Sequence, residues 1–298
     1  MKVGLQISSF TWPGGPSAIA PELARIVRTA DEVGFDSIWV MDHFFQIRSV
    51  GQIDEPMLEG WTTLGWMAAL TKQARLGLMV GGIHYRQAPL WVKAATTLDV
   101  LSGGRAWLGI GAAWNQEESE SLGFPFPSLG ERFELLEDTL RYAHEMWAGE
   151  SGTNAPFEGQ HLHARHLLNA PQSVQRPRVP IMIGGGGEQK TLRLVAQYGD
   201  ASNVFGGPEK LHHKWEVLRE HCRRLGRPFD EIERTTLQTV RIHPNETGHV
   251  ETPGQVVDRF GELSDAGAQH VIFAVKDVWR PGALELVGSD ILPQLRGL

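Results

Sequence analysis

Short apolar segments alternate with longer amphipathic segments along the whole chain. The apolar segments predict eight strands, over residues 3–7, 37–41, 76–80, 106–110, 179–183, 201–204, 235–240 and 270–275. Apolar residues at helical spacing follow each strand and predict helices over residues 19–33, 62–71, 90–101, 131–147, 190–198, 209–225, 254–266 and 282–292. We expect Pro21 in the first turn of the first helix and Gly34 at its end.

A strand followed by a helix, repeated eight times, predicts parallel βαβ units, because parallel neighbours need crossover connections. Eight units in 298 residues favour one (β/α)8 TIM-barrel domain over residues 1–298. The alternative is a doubly wound open sheet of similar strand count. Two segments are longer than the connections of a minimal βα repeat: residues 44–60 after strand two and residues 148–178 before strand five. Loops this long are commonly functional.

Composition narrows the possible partners. The net charge of −7 argues against nucleic acid and against anionic membrane surfaces. The single cysteine, Cys222, excludes an internal disulfide framework. The first residues lack the pattern of a signal peptide, and no apolar stretch approaches the roughly 18 residues of a membrane span. We therefore expect a cytoplasmic protein that acts on a small molecule.

Candidate chemistry begins after strand two, with Asp42 and His43. In a barrel of this kind the active site is built from the loops that follow the strands. A carboxylate can bind ring N–H groups or a hydroxyl, and a histidine can exchange a proton with a substrate near neutral pH. The alternative is a helix-capping aspartate beside a half-buried histidine.

The segments after strands three and four are rich in small residues. Gly81 and its neighbour allow close approach to the backbone, and residues 109–113 leave space for a flat ligand. Asn115 can either cap the next helix or bind that ligand. Glu117 and Glu118 fall in a first helical turn, where negative charge is stabilised anyway, so we do not assign them to acid–base catalysis.

After strand five, Gly184, Gly185, Gly186 and Gly187 open a helix. Exposed N–H groups at a helix N-terminus form a phosphate site. Because Gln189 stands where a Walker A loop or a dinucleotide fingerprint needs glycine, this loop is of another type. The alternative is a tight glycine turn without a ligand.

Other candidates carry less weight. The histidines of residues 161–166 include no carboxylate among them, and we predict no metal site there. Trp12, Trp61 and Trp114 fall near strand ends, where an indole can stack on a ring.

Four segments, residues 34–43, 96–105, 108–114 and 180–196, together resemble the luciferase-like monooxygenase superfamily. Within it, the chain is most similar to the oxidoreductases that use coenzyme F420, an 8-hydroxy-5-deazaflavin. The resemblance runs from about residue 2 to residue 203. It implies a TIM barrel with a planar cofactor at its mouth, and a homodimer.

The resemblance also implies roles for individual residues. It places a cis peptide bond between Met79 and Val80 under the cofactor ring, and it assigns proton exchange to His43. The implied cofactor contacts are Asp42, Met79, Val80, Gly81, Asn115, Gly184, Gly185, Gly186, Gly187 and Glu188. The implied substrate contacts are Trp12, Phe44 and Trp114. Trp114 stands where the sugar-phosphate dehydrogenases of this group have an acidic glutamate, which argues against a sugar phosphate and for an apolar or amphipathic substrate.

The expected function is hydride transfer between coenzyme F420 and a small organic substrate that the sequence does not identify. One alternative is an FMN-dependent monooxygenase that uses oxygen and a partner reductase. Another is a flavin-binding barrel without catalytic activity. A third, a phosphate-binding aldolase-type barrel, needs a buried lysine at a strand end, and we find no convincing candidate.

Overall fold

In a computed structural model of the protein, residues 1–153, 155–244 and 250–298 are described. Their strands are β1 (Lys2–Ile7), β2 (Ser37–Val40), β3 (Arg75–Leu78), β4 (Gly81–Gly82), β5 (Ala106–Gly111), β6 (Gly152–Thr153), β7 (Phe157–Glu158), β8 (His163–Ala164), β9 (Leu167–Leu168), β10 (Ile181–Gly184), β11 (Ala201–Asn203), β12 (Glu233–Val240) and β13 (His270–Val275).

Among the described residues, nine of these strands form one parallel sheet that closes into a barrel. Its order is β10, β11, β12, β13, β1, β2, β3, β5 and β4, and β10 also pairs with β5. Both β3 and β4 pair with β5, so together they occupy one of eight positions around the ring. The predicted (β/α)8 barrel is therefore confirmed.

The helices surround this sheet. They are α1 (Pro16–Val33), α2 (Gly60–Ala68), α3 (Ala88–Ser102), α4 (Gln116–Leu122), α5 (Leu129–Met146), α6 (Thr191–Tyr198), α7 (Pro208–Leu225), α8 (Pro253–Asp265), α9 (Ala283–Leu286) and α10 (Leu292–Leu295). Within the described ranges, every helix is too short or too polar to cross a bilayer.

Two helical predictions need correction. The first helix begins at Pro16, not at residue 19, so Pro21 lies inside it and Pro16 takes the favoured first position. Gly34 ends it in the left-handed region, with φ of 98°, as predicted. The helix predicted over residues 282–292 is divided, because a π-helical segment, Val287–Ile291, separates α9 from α10.

The strand predicted over residues 76–80 ends early, at Leu78. The Met79–Val80 peptide bond that follows is cis, as the resemblance implied. The chain then rejoins the sheet, where Gly81 lies opposite Ile110 of β5. A Cβ atom on Gly81 would lie 2.3 Å from the Trp91 ring, so this position has no room for a side chain.

Both predicted insertions are present. Residues 44–59 contain no helix or strand before α2 begins at Gly60, where the Glu59 side chain caps the helix. In residues 148–178, β6 pairs with β9 and β7 pairs with β8, which gives two nested hairpins. Residue 154 of this insertion lies outside the described residues.

Large and small residues alternate across the barrel interior. Trp39 and Trp107 lie with ring centroids 6.2 Å apart, and Met79, Met182 and Ile272 pack against this cluster. Gly77 faces the same space, since a Cβ atom there would lie 2.5 Å from the Trp39 ring. The barrel centre is therefore a packed core.

A polar network closes the N-terminal end of the barrel. Lys2 Nζ donates to Glu233 at 2.8 Å, and His270 Nδ1 lies 2.8 Å from the same carboxylate. His270 Nε2 lies 2.9 Å from Ser37 Oγ, which also accepts a hydrogen bond from Trp39 Nε1 at 2.7 Å. Burial raises the pKa of Glu233, but His270 and Lys2 outweigh it and hold the pKa at about 2.

We predict that Gly77→Ala destabilises the fold by about 1–3 kcal/mol, because the new methyl group overpacks the core against Trp39. Gly65→Ala is the matched control. No atom lies within 4 Å of its added Cβ, in the interior of α2, and alanine there should stabilise by about 0.5–1 kcal/mol. Urea unfolding measures the free energy of unfolding of both variants. Equal changes in the two variants would contradict the packing of Gly77 against Trp39.

We predict that Glu233→Gln lowers the free energy of unfolding by roughly 2 kcal/mol at neutral pH, because hydrogen bonds to an ionised group are lost. The folded pKa of about 2 is below the ordinary value of 4.5. The stabilisation is therefore complete above pH 4.5 and disappears as the pH falls toward 2. Urea unfolding should show that the difference in free energy of unfolding between this variant and the wild type is smaller at pH 3 than at pH 6. Glu231→Gln, at an exposed salt bridge to Arg227, should show little difference at either pH.

Candidate active site

A cavity of about 400 Å³ opens at the carboxyl ends of the barrel strands. The loops after β2, β4, β5, β10 and β11 line it. Most of the residues predicted to contact the cofactor or substrate meet there: Asp42, His43, Met79, Val80, Gly81, Trp114, Asn115, Gly184, Gly185, Gly186 and Gly187. The structure thus collects side chains from five distant segments into one site.

The glycine loop forms one wall of the cavity between β10 and α6. Gly185 has φ of 120°, and its N–H donates to the Asn203 carbonyl at 3.0 Å. Within the part of the chain that the structure describes, the N–H groups of Gly186 and Gly187 have no backbone partner. Because they lie just before the N-terminus of α6, they form a suitable site for an anion.

The floor of the cavity is built around Val80. A Cβ atom on Gly184 would lie 2.6 Å from Val80 Cγ2, and one on Gly111 would lie 3.2 Å from it. These glycines therefore leave space for the Val80 side chain and for nothing larger than hydrogen at their own positions. A floor built from valine and glycine beside an anion site fits a phosphorylated planar ring.

Asp42 lies beside this floor and is bound by Arg86. The guanidinium donates two hydrogen bonds to the carboxylate, at 2.7 and 2.8 Å, and the Gly82 N–H donates a third at 3.2 Å. Burial raises the pKa of Asp42 to about 6, although Arg86 acts in the opposite direction. Oδ1 receives only one of these bonds, so it keeps acceptor capacity.

His43 is held by Glu118, a carboxylate with 0% exposure. His43 Nδ1 lies 2.7 Å from Glu118 Oε2. Burial raises the pKa of Glu118, but hydrogen bonds from His43, Tyr85 and the Phe45 N–H outweigh it and lower the pKa below its ordinary value. An ionised carboxylate only accepts, so Nδ1 carries the hydrogen and the lone pair of the neutral ring is on Nε2.

Asn115 and Trp114 flank this pair. Asn115 caps α4, because its Oδ1 accepts from the Glu118 N–H at 3.3 Å. Its contact with a cofactor stays a prediction. The ring centroids of Trp114 and His43 lie 5.4 Å apart in an edge-on arrangement. Trp114 is 63% exposed, so most of its indole faces the mouth of the barrel.

Three predicted contacts lie elsewhere. Trp12 is buried and lines a second cavity of about 500 Å³, at the ends of β1, β12 and β13. Phe44 packs against the rings of Tyr85 and Phe124. Glu188 forms salt bridges on the surface, with Lys214 at 2.5 Å and with a histidine of the same helix at 2.9 Å. None of the three lines the cavity that contains His43.

Two histidines of the histidine-rich insertion lie beside surface carboxylates. His161 Nε2 lies 2.8 Å from Glu134, and His163 Nδ1 lies 2.8 Å from Glu158. In the described ranges, no group of three or more His, Cys, Asp or Glu side chains is placed to hold a metal ion.

The sequence analysis missed Glu118, Tyr85 and Arg86 as members of the site. Glu118 looked like an ordinary first-turn glutamate, and its neighbour Glu117 is indeed exposed and pairs with Arg48. The pattern of α4 does not distinguish the two carboxylates. Tyr85 and Arg86 did have a signal, since both follow the glycine pair at the end of β4.

Comparison with known proteins identifies the family of the chain. The family model described as luciferase-like monooxygenase matches residues 1–249. An F420-dependent glucose-6-phosphate dehydrogenase of Kineococcus radiotolerans is 31% identical over 79% of this chain, and the match spans 66% of that relative.

Two solved structures share the fold. A coenzyme F420 dependent tetrahydromethanopterin reductase from Methanopyrus kandleri has a TM-score of 0.79 at 18% identity, covering 99% of both chains. An EDTA monooxygenase from Chelativorans sp. BNC1 has a TM-score of 0.82 at 15% identity, covering 100% of this chain and 94% of its own. Because the family model matches residues 1–249 of the 298, the chain belongs to the luciferase-like monooxygenase family.

Proposed function

We propose that this chain is an oxidoreductase that transfers a hydride between coenzyme F420 and a small organic substrate. The relative and the reductase that carry F420 in their names support this cofactor. The observation that carries the proposal is a single cavity, because it joins the glycine loop, the Val80 floor and His43.

The residues present fit the cofactor. The free N–H groups of Gly186 and Gly187 would bind its phosphate, and the floor around Val80 would support its ring. Asp42 would accept a hydrogen bond from a ring N–H. When bound, F420 supplies the hydride chemistry. The barrel orients the reactants and excludes water.

His43 exchanges the proton that accompanies hydride transfer. Its lone pair is on Nε2, because Nδ1 donates to Glu118. The neutral ring can take a proton from a substrate hydroxyl, and the protonated ring can return one to a carbonyl oxygen. Either direction of hydride flow therefore uses the same nitrogen.

The rim of the cavity favours an apolar or amphipathic substrate. Trp114, Leu129 and Phe205 are 63%, 57% and 53% exposed and all line the cavity. Large apolar groups exposed together at a pocket mark a binding surface. The rim thus supports the sequence argument from Trp114 against a sugar phosphate. The expected homodimer and cytoplasmic location stay predictions.

An FMN-dependent monooxygenase is the second candidate, since a monooxygenase is among the solved structures that share the fold. It would consume oxygen with a reductase as partner. A non-catalytic barrel would bind cofactor without turning over any acceptor. Fluorescence titration with F420, FMN and FAD, together with oxygen consumption, separates these functions, and we expect the tightest binding with F420.

We predict that Gly186→Asp weakens F420 binding at least about tenfold, because it places a negative charge where the phosphate binds. The added Cβ meets only ordinary contacts, at 3.7 Å from Lys214 and Val204. Gly186→Ala adds the same carbon without the charge, and its affinity should stay within about threefold of wild type. Equal affinity for both variants would place the phosphate elsewhere.

We predict that His43→Ala lowers kcat roughly 10²- to 10⁴-fold, the usual contribution of general acid–base catalysis. F420 affinity should change little. Turnover is followed by F420 absorbance with isopropanol, longer secondary alcohols and glucose 6-phosphate as substrates. Unchanged turnover in the variant would refute the proton-exchange role. Wild-type binding without turnover of any substrate would favour the non-catalytic barrel.

A further inference from the structure

Glu118 binds both the side chain and the backbone of the segment that carries His43. Its Oε1 accepts the N–H groups of Phe44 and Phe45, the latter at 2.7 Å. Its Oε2 accepts from His43 Nδ1 at 2.7 Å and from Tyr85 Oη at 2.5 Å. One oxygen therefore fixes the chain after His43, and the other fixes the imidazole.

We propose that Glu118 is a positioning residue that fixes the orientation and the tautomer of His43. The proposal rests on the proton-exchange role of His43 given above. Glu118 itself touches neither substrate nor cofactor in this scheme, because it is 0% exposed and lies behind the imidazole.

The number of donors explains why a carboxylate stands here. The Asn115 amide adds another bond to Oε2, at 3.3 Å, so five donor groups converge on one side chain. A glutamine could offer only one acceptor oxygen, and its NH₂ group would face one of these donors. A structural cap for α4 alone would not need a charged group at this depth.

Glu118 has one basic partner in the described ranges. Its salt-bridge partner there is His43, and no lysine or arginine pairs with it. A buried carboxylate without a cation is costly, so each of its hydrogen-bond donors offsets part of that cost. The carboxylate therefore favours the tautomer in which His43 donates from Nδ1.

Two other groups around His43 keep a constant charge near neutral pH. Burial raises the pKa of Tyr85, so its phenol stays protonated and donates to Glu118. Burial and Arg132 lower the pKa of His84 to about 4, so this second ring stays neutral, and its Nε2 lies 2.7 Å from a serine of α4. Asp42, whose pKa burial raises to about 6, is paired with Arg86 and not with His43.

Glu118→Gln tests the proposal. The amide NH₂ should donate to His43 Nδ1, which would move the ring hydrogen to Nε2 and remove the lone pair that takes the substrate proton. We expect kcat to fall roughly 100-fold, with F420 affinity within about threefold of wild type.

Nitrogen-15 NMR of the imidazoles, assigned with the His43→Ala variant, reads the tautomer without any substrate. We expect Nδ1–H in the wild type and Nε2–H in Glu118→Gln. Tyr85→Phe removes another donor to the same oxygen and should leave the Nδ1–H tautomer in place. Glu117→Gln is the matched control, an exposed neighbour whose loss should change neither tautomer nor kcat.

Nε2–H in the wild type, or no change of tautomer in a folded Glu118→Gln, would overturn the proposal. A lower melting temperature with an unchanged tautomer would show a purely structural role, which also overturns it. If instead the tautomer switches but His43→Ala retains full turnover, the positioning is correct and the catalytic role of His43 is wrong. The two proposals therefore fail separately.

Discussion

Pairing of β5 with β10 closes the barrel, and every feature of the candidate site depends on that closure. Leu108 lies opposite Ile181, and the Leu108 N–H donates to the Pro180 carbonyl at 2.9 Å. The long hairpin insertion separates these strands along the chain. Closure satisfies the backbone groups that an open sheet would leave unpaired at its edges, and it brings the glycine loop against the end of β5.

That closeness constrains composition as much as geometry. A Cβ atom on Gly111 would lie 3.2 Å from the Gly184 carbonyl, and one on Gly109 would lie 1.8 Å from the Leu78 carbonyl. Side chains at these positions would force the strands apart. The small residues at the mouth therefore satisfy two needs at once, because they permit barrel closure and leave a flat surface for a planar ligand.

The buried carboxylates behave differently because their partners differ. Asp42 faces a guanidinium, yet burial still raises its pKa to about 6. Glu233 lies between a lysine and a histidine, which hold its pKa at about 2. Glu118 receives hydrogen bonds from neutral donors and from His43 Nδ1. The same kind of side chain thus closes a polar network at one end of the barrel and orients a histidine at the other.

The sequence by itself determined the alternation of strands and helices, the number of βαβ units and the glycine-rich loops, because periodicity and glycine content are local properties. It also placed Asp42, His43 and the glycine loop at strand ends, where a parallel barrel gathers them. It did not distinguish the buried Glu118 from the exposed Glu117, and it did not show that Trp12 lies outside the cavity that contains His43. Glu118 is buried because α4 packs against residues some 75 positions earlier in the chain. Only the tertiary structure decides such long-range contacts, since no local pattern encodes the partner.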